Sequence, residues 1–383
     1  MEKRFIQKTG EELSLLGFGF MRLPLKEGTQ EIDKAKALDM VDYAKDRGIN
    51  YFDTAWMYHE GNSETFAGEA LSRYDRSSFN LADKMPLMFV KAEADVERIF
   101  QEQLKKCKTD YFDYYLLHNI CTEHLKVAET FKIYEKLKEK QKQGQIRRLG
   151  FSFHDQPELL RDVVQRYDWD FAQIQLNYLD WEQQNAHEQY RILEKKGIPV
   201  NVMEPVRGGT LANLCPESVL IFKNANPAAS VASWAIRYAA SLSGVQVVLS
   251  GMSTMDQVKD NIATMENFKP LVTEDYQVID KALLAFKSAG TVPCTGCRYC
   301  MDCPQGIDIP KVLAIYNNYL SGKARKAPTY NFLFEMEYKI LGEDKQAHHC
   351  VQCDECLEKC PQHINVSHWM KEIDKVHKEN SPK

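Results

Sequence analysis

The stretch NYFDTAWMYHEGNSETFAGEAL runs from Asn50 to Leu71. Its opening six residues form a short run with an apolar Tyr51–Phe52 centre followed by Asp53, and a polar loop with Tyr58 follows. A short apolar run bounded by polar residues reads as a buried strand. The same unit recurs along the chain: LLGFGF from Leu15, FNLADK from Phe79, DYYLLH from Asp113, RRLGFS from Arg147, FAQIQLN from Phe171, IPVNVMEP from Ile198 and VQVVLSG from Val245. Between these runs lie longer, charged stretches of helical character. They include DKAKALDMVDYAKDRG, AEADVERIFQEQLKK, TFKIYEKLKEKQKQG and HEQYRILEKKG, several of them ending on a glycine (Gly48, Gly144, Gly197) that suits a helix C-cap. Eight strand–helix units within the first 285 residues fit an α/β chain folded as a (β/α)8 TIM barrel. An open doubly wound sheet is the alternative, and the count of eight favours the barrel.

A barrel of this kind carries its chemistry at the C-terminal ends of its strands. Those ends supply Asp53, Lys84, His118, Ser152, Gln175 with Asn177, Glu204 and Ser250. Any one of them alone is explained equally well as a solvated loop residue or a satisfied buried polar group. Asp53, Lys84 and His118 come from consecutive strands, with Tyr58 just beyond the first, and the four together point to a site.

Composition narrows the function classes. The chain has 383 residues, a hydrophobic fraction of 44%, a charged fraction of 27% and a net charge of −5. Such a chain is of globular type, and its charge gives no reason to expect nucleic acid as a partner. No run of apolar residues is long enough to span a bilayer, and the N-terminal MEKRFIQKTGEELSLLG lacks the apolar core of a signal peptide. The expected location is the cytoplasm, where thiols stay reduced and clustered cysteines are metal ligands more often than disulfides.

The eleven cysteines are unevenly spread. Cys107, Cys121 and Cys215 are isolated, whereas CTGCRYCMDCP from Cys294 and CVQCDECLEKCP from Cys350 hold the other eight. This break predicts a barrel over 1–285, a second domain over 286–383, and a linker at SAGTVP, Ser288 to Pro293. Both runs step Cys-x2-Cys and end on Cys-Pro. The second matches the bacterial ferredoxin run in full, while the first has two residues rather than three before its last cysteine. Paired zinc knuckles are the competing reading, but four stepped cysteines occurring twice fit [4Fe–4S] cubanes better. His348, His349 and His363 read as bystanders.

GFGFMRLP, NYFDTAWMYHEGNSETFAGEAL, LADK and DYYLLHN, in that order, resemble the aldo-keto reductase superfamily over about residues 10 to 265. The resemblance implies a catalytic tetrad of Asp53, Tyr58, Lys84 and His118. Carbonyl reduction by hydride places negative charge on oxygen and needs a proton donor there. Tyr58 is the expected donor, with Lys84 expected to lower its pKa, Asp53 to hold Lys84, and His118 to orient the substrate oxygen. The resemblance also implies a nicotinamide dinucleotide, NAD(P)H, lying across the barrel mouth. Ser152 and Gln173 would meet its carboxamide. Asn177, Met203, Pro205, Arg207 and Gly208 are counted with the same site. Ser250, Gly251, Ser253, Gln257 and Asn261, in SGMSTMDQVKDN, resemble the adenosine-phosphate loop. Three positions depart from the family pattern: Phe153 follows Ser152 where Asn is common, Met203 stands where an aromatic often stacks, and Gln257 stands where NADPH-selective members often place Arg. NADH, NADPH and a flavin such as FMN all stay open. Arg207 could instead meet an anionic substrate or a surface carboxylate. Trp56, Met57, His59 and Trp181 fall in mouth loops that would shape the substrate site.

The long insert between the cysteine runs resembles an α-helical ferredoxin domain, and the whole chain resembles the ferredoxin-fused aldo-keto reductases. In two-cluster ferredoxins each cluster takes three cysteines of one run and the fourth of the other. That implies Cys294, Cys297, Cys300 and Cys360 on one [4Fe–4S] cluster, and Cys350, Cys353, Cys356 and Cys303 on the other. Oxygen-sensitive clusters suggest anaerobic or microaerobic metabolism. Since a hydride carries two electrons and a cluster passes one, traffic between them needs an intermediate such as flavin. Three readings of the whole follow: a carbonyl reductase wired through its clusters to a ferredoxin or other redox partner, an electron-transfer or docking protein with a retired barrel, and a reductase whose clusters only hold the tail together.

Overall fold

The computed structural model describes residues 1–6, 10–266, 268–287, 290–301, 303–324 (only the backbone over 321–324) and 329–380. Ser288 and Ala289 of the expected linker lie outside the described residues. Two compact units are present: Met1–Pro205 with Ala232–Leu271, and Val206–Val231 with Val272–Lys383.

In the first unit a hairpin of β1 (Lys3–Ile6) and β2 (Glu11–Ser14) precedes eight parallel strands. These are β3 (Leu16–Gly19), β4 (Tyr51–Asp53), β5 (Asn80–Pro86), β6 (Phe112–Ile120), β7 (Ile146–Phe153), β8 (Phe171–Gln175), β9 (Val200–Met203) and β10 (Val245–Gly251). Each of the eight apolar runs becomes one of these strands. β10 pairs with both β9 and β3, so the sheet closes into a barrel and the doubly wound alternative is excluded. The interior is a packed core rather than a pore. Tyr114 sets its ring edge-on to Tyr51 at 5.0 Å and to Phe171 at 4.9 Å between centroids. The hairpin was not foreseen, because KRFI and EELS show little apolar signal. Tertiary burial explains it: Ile6 and Leu13 join the cluster of Tyr51, Ala82, Tyr114 and Phe171, and the Tyr114 hydroxyl donates to Glu11 Oε2 at 2.7 Å.

The helical stretches form largely as expected, with one division. TFKIYEKLKEKQKQG holds the last residue of helix Thr122–Thr130 and the whole of helix Ile133–Lys142, the two separated where Lys132 takes a φ of 52°. Helix Ser63–Leu71 lies against helix Glu93–Cys107 at Gly68, where an added Cβ would fall 2.2 Å from the Lys106 carbonyl oxygen. Gly68→Ala must therefore push two backbones apart. It is expected to cost about 1–3 kcal/mol, read as a lowered melting temperature of the barrel; an unchanged melting curve would show that the contact is loose.

The second unit is helical among its described residues. Helix Pro216–Ala225 meets Thr273–Lys287, with Ser218 Oγ donating to the Ala282 carbonyl at 2.7 Å. Helices Ile309–Ala324, Tyr330–Ile340 and Val366–Asn380 enclose a core that includes Leu313, Tyr316, Phe334, Tyr338, Met370 and Ile373. Six of the eight clustered cysteines pack against this core. No helix among the described residues is long and apolar enough to cross a membrane.

Candidate functional site

Adjacent parallel strands bring three polar side chains together inside the barrel. Asp53 ends β4, Lys84 lies in β5 and His118 in β6, and all three are buried. Lys84 Nζ donates to Asp53 Oδ1 at 2.7 Å and to the Thr54 carbonyl at 2.6 Å. Tyr58 enters from the loop after β4, in a tight turn where His59 and Glu60 take φ values of 51° and 54°. Its ring centroid lies 5.0 Å from Lys84 Nζ and 6.2 Å from the His118 ring, which it meets at 87°. Asp53 Oδ2 and His118 Nδ1 are buried without a hydrogen-bond partner. Orphaned polar atoms of this kind are costly in a core and are found where a ligand or water completes them.

Burial dominates the electrostatics. It raises the Asp53 carboxyl, with Lys84 opposing. It drives the His118 imidazole well below 6.5, helped by the charges of Lys84, His154 and His124. The Tyr58 phenol is pushed well above 10.0, first by burial and then by Asp53 and Glu204, with Arg22 opposing. This reverses the expected direction. Lys84 sits over the face of the Tyr58 ring and spends two short hydrogen bonds on Asp53 and Thr54, so it does not turn the phenol into a phenolate. A donor and a neutral imidazole both persist at ordinary pH. Carbonyl turnover is thus expected to stay level between about pH 8 and about pH 6, since the His118 charge appears only below that window. An acid limb centred near 6.5 in a pH–rate profile would contradict a neutral His118.

The residues expected at the cofactor divide into three sets. Ser152, Gln173 and Asn177 are buried. Ser152 Oγ accepts from the Asn119 amide at 2.8 Å. Gln173 Nε2 points to Met203 Sδ at 3.7 Å while its Oε1 has no partner. Asn177 is committed to its own turn, accepting from the amides of Leu179 and Asp180 and donating to Asp180 and to the Glu204 carbonyl. At the end of β10, Ser250 Oγ accepts from Asn261 at 2.9 Å, and Gln257 Oε1 accepts from the Ser253 amide at 2.7 Å. Met203 and Pro205 close the first unit's share of their segment, whereas Arg207 and Gly208 belong to the second unit.

The sequence gives Arg22 no role and counts Glu204 only among the polar strand ends. Arg22 Nη2 lies 3.3 Å from Glu204 Oε1, and its carbonyl accepts from Ser253 Oγ at 2.7 Å. Both charges act on Tyr58. Glu204 stands in the left-handed region at φ 55° and keeps a buried Oε2 without a partner. The signal available was Arg22 within GFGFMRLP, but only the closed barrel sets it opposite Glu204.

In the second unit the cysteines gather around two hollows. One is lined by Cys294, Cys297, Cys300 and Cys360. The other is lined by Cys303, Cys350, Cys353 and Cys356, with Cys300 also at its wall. Each hollow thus draws on both runs. Burial and then the neighbouring thiols Cys297, Cys294 and Cys360 raise Cys300, while Cys356 is raised to about 11 by burial and by Cys350, Cys353 and Cys303. No described cysteine is in a disulfide. Among the described residues no group of three or more His, Cys, Asp or Glu closes around a single ion position. Four thiols around a hollow, in two sets, suit a multi-iron cubane in charge and donor type.

Comparison with known proteins bears on both units. The model of the Aldo/keto reductase family matches residues 15–284, and that of a 4Fe-4S dicluster domain matches residues 293–365. The uncharacterized oxidoreductase YqkF of Bacillus subtilis is 27% identical over 74% of this chain and 99% of its own length. The NADH-specific methylglyoxal reductase of Escherichia coli is 26% identical over 55% of this chain and 69% of its own. Among solved structures, the holo form of an aldo-keto reductase from Bacillus halodurans is 26% identical and superposes with a TM-score of 0.62, covering 74% of this chain and 96% of that one. A match that spans most of the chain and coincides with a closed eight-stranded barrel leaves one assignment: the chain belongs to the aldo/keto reductase family, with a 4Fe-4S dicluster ferredoxin domain following the barrel in sequence.

Proposed function

We propose that the barrel interconverts a carbonyl and an alcohol by hydride transfer with NAD(P)H, and that the tail holds two [4Fe–4S] clusters able to exchange single electrons with a ferredoxin or other redox partner. The observation that carries the first half is the convergence of Asp53, Tyr58, Lys84 and His118, with buried orphan atoms on two of them. When bound, the reduced nicotinamide supplies the hydride. The Tyr58 hydroxyl gives its proton to the carbonyl oxygen as charge develops there. Lys84, fixed by Asp53 and the Thr54 carbonyl, is the cation that stabilises the phenolate left behind. Neutral His118 orients the carbonyl oxygen through a hydrogen bond. Gln173 Oε1, buried and unpartnered, is an acceptor suited to a carboxamide. Gln257 brings no charge to a 2′-phosphate, and the Escherichia coli relative is named as NADH-specific. The test is carbonyl-dependent oxidation of NADH and of NADPH by the anaerobically purified chain. No turnover with either cofactor, across aldehydes, ketones and hydroxyketones, would overturn the reading.

The cysteine sets proposed as ligands are Cys294, Cys297, Cys300 and Cys360 for one cluster, and Cys303, Cys350, Cys353 and Cys356 for the other. The division between barrel and ferredoxin domain is placed near residue 285, in keeping with the two family models, which end at 284 and begin at 293. Coupling a two-electron hydride to one-electron clusters calls for an intermediate carrier, for which a flavin (FMN) is the candidate. A purely structural role for the clusters is the second reading, favoured by the packing of six cysteines against the helical core. Titrating the holoprotein under argon with substrate and nicotinamide separates the two. Cluster reduction supports wiring, and clusters indifferent to both support the structural role.

A further inference from the structure

Arg207 is 1% exposed, an unusual place for a guanidinium. It lies in the second unit, in a three-residue left-handed run where Arg207, Gly208 and Gly209 take φ values of 51°, 60° and 92°. Two contacts tie this run to the wall of the first cysteine hollow. Arg207 Nη2 donates to Gln362 Oε1 at 3.4 Å. Gly208 lies so close to Thr295 that an added Cβ would fall 1.8 Å from the Thr295 carbonyl oxygen. Thr295 and Gln362 are themselves 3% and 6% exposed, and both line the hollow formed by Cys294, Cys297, Cys300 and Cys360. Thr295 follows Cys294 directly, and Gln362 stands two residues after Cys360. The second hollow is walled differently, by Asp354, Glu355 and Lys359, and its Cys353 is exposed.

We infer that Arg207 is a positioning residue for the first cluster, a buried cation behind its wall that makes one-electron reduction there easier than at the second. The inference rests on the proposed cluster ligands. One-electron uptake, from dithionite or from a one-electron carrier, adds a negative charge to a site already ringed by four thiolates. A guanidinium kept out of water nearby lowers the free energy of that added charge. The left-handed run sets the backbone flat against Thr295, so that the guanidinium meets Gln362 within the unit. This gives Arg207 a purpose other than gripping a dinucleotide phosphate or an anionic substrate.

The test is a redox titration of the anaerobically purified full chain, followed by electron paramagnetic resonance, on wild type, Arg207→Met, Arg207→Lys and Gln362→Glu. Arg207→Met is expected to change the oxidised-to-reduced ratio of one cluster about tenfold at a fixed potential. That is a fall of about 59 mV for one electron, with the other cluster unmoved. Arg207→Lys should restore most of the shift, because it keeps the charge. Gln362→Glu, which adds a negative charge at the wall of the same hollow without emptying the core, should lower the same cluster. The inference is overturned if Arg207→Met leaves both potentials in place, or if Arg207→Lys shifts them as far as Met does, which would assign the effect to packing. Should Arg207→Met fail to fold, an unmoved potential in Gln362→Glu overturns it by itself. Wild-type protein that holds no clusters would instead remove the reading beneath it, and iron and sulfide content shows which has failed.

Discussion

Tyr58→Phe is expected to lower kcat/KM for carbonyl reduction by about 10²–10⁴-fold, the range a positioned proton donor contributes. The substitution removes one oxygen and keeps the ring that packs at 5.0 Å from Lys84 Nζ and edge-on to His118. The fold and the Lys84–Asp53 pair should therefore persist, and the loss should fall on kcat more than on KM. The phenol is held above its free pKa by burial and by the Asp53 and Glu204 charges, so it is expected to be protonated when a carbonyl binds. The charge of Arg22 works in the opposite sense. Steady-state kinetics with a panel of carbonyls makes the measurement, and nuclear magnetic resonance or circular dichroism confirms the fold. Turnover within a factor of two of wild type would mean that another group delivers the proton.

Removing iron from the tail is expected to have the largest effect on stability. Each hollow is lined by thiols drawn from both cysteine runs, and Cys294, Cys300, Cys303, Cys350, Cys356 and Cys360 pack against the helical core. Where a metal site organises a small core, metal binding is largely folding free energy. Stripping the clusters with a chelator under oxidation should lower amide-exchange protection in helices Ile309–Ala324, Tyr330–Ile340 and Val366–Asn380 by about 10²-fold or more, with little change in the β3–β10 barrel. Mass spectrometry of exchanged peptides reads both units in one experiment. Unchanged protection in all three helices would show that their apolar core stands without metal, and the structural reading of the clusters would fall with it.

The fold was legible because its signal is local. Eight apolar runs, each a few residues long, sufficed to place eight strands, since a strand buried on both faces is apolar throughout. The polar residues Asp53, Lys84 and His118 stand out against those runs for the same reason. The hairpin Lys3–Ile6 with Glu11–Ser14 was not legible, because its two anchors, Ile6 and Leu13, are isolated apolar residues in charged surroundings. The break at Lys132 was missed because TFKIYEKLKEKQKQG keeps its helical pattern across a residue whose φ is positive. Neither miss touches the site. Cysteine spacing is likewise a local signal, and it identified an iron–sulfur domain without any knowledge of the helices that carry it.

The order of strands, the polar residues at their ends and the thiol runs are written into neighbouring positions of the chain, so the sequence by itself determined an aldo/keto reductase barrel followed by a 4Fe-4S domain. Charge environments are set by distance through space, and those waited for the tertiary structure. Only there does Lys84 turn its hydrogen bonds to Asp53 and Thr54, Arg22 come within 3.3 Å of Glu204, and Arg207 go under cover beside Gln362. Burial in a low-dielectric interior then reverses what the same residues would do in water, which is why the Tyr58 phenol rises where the chain alone suggested that it would fall.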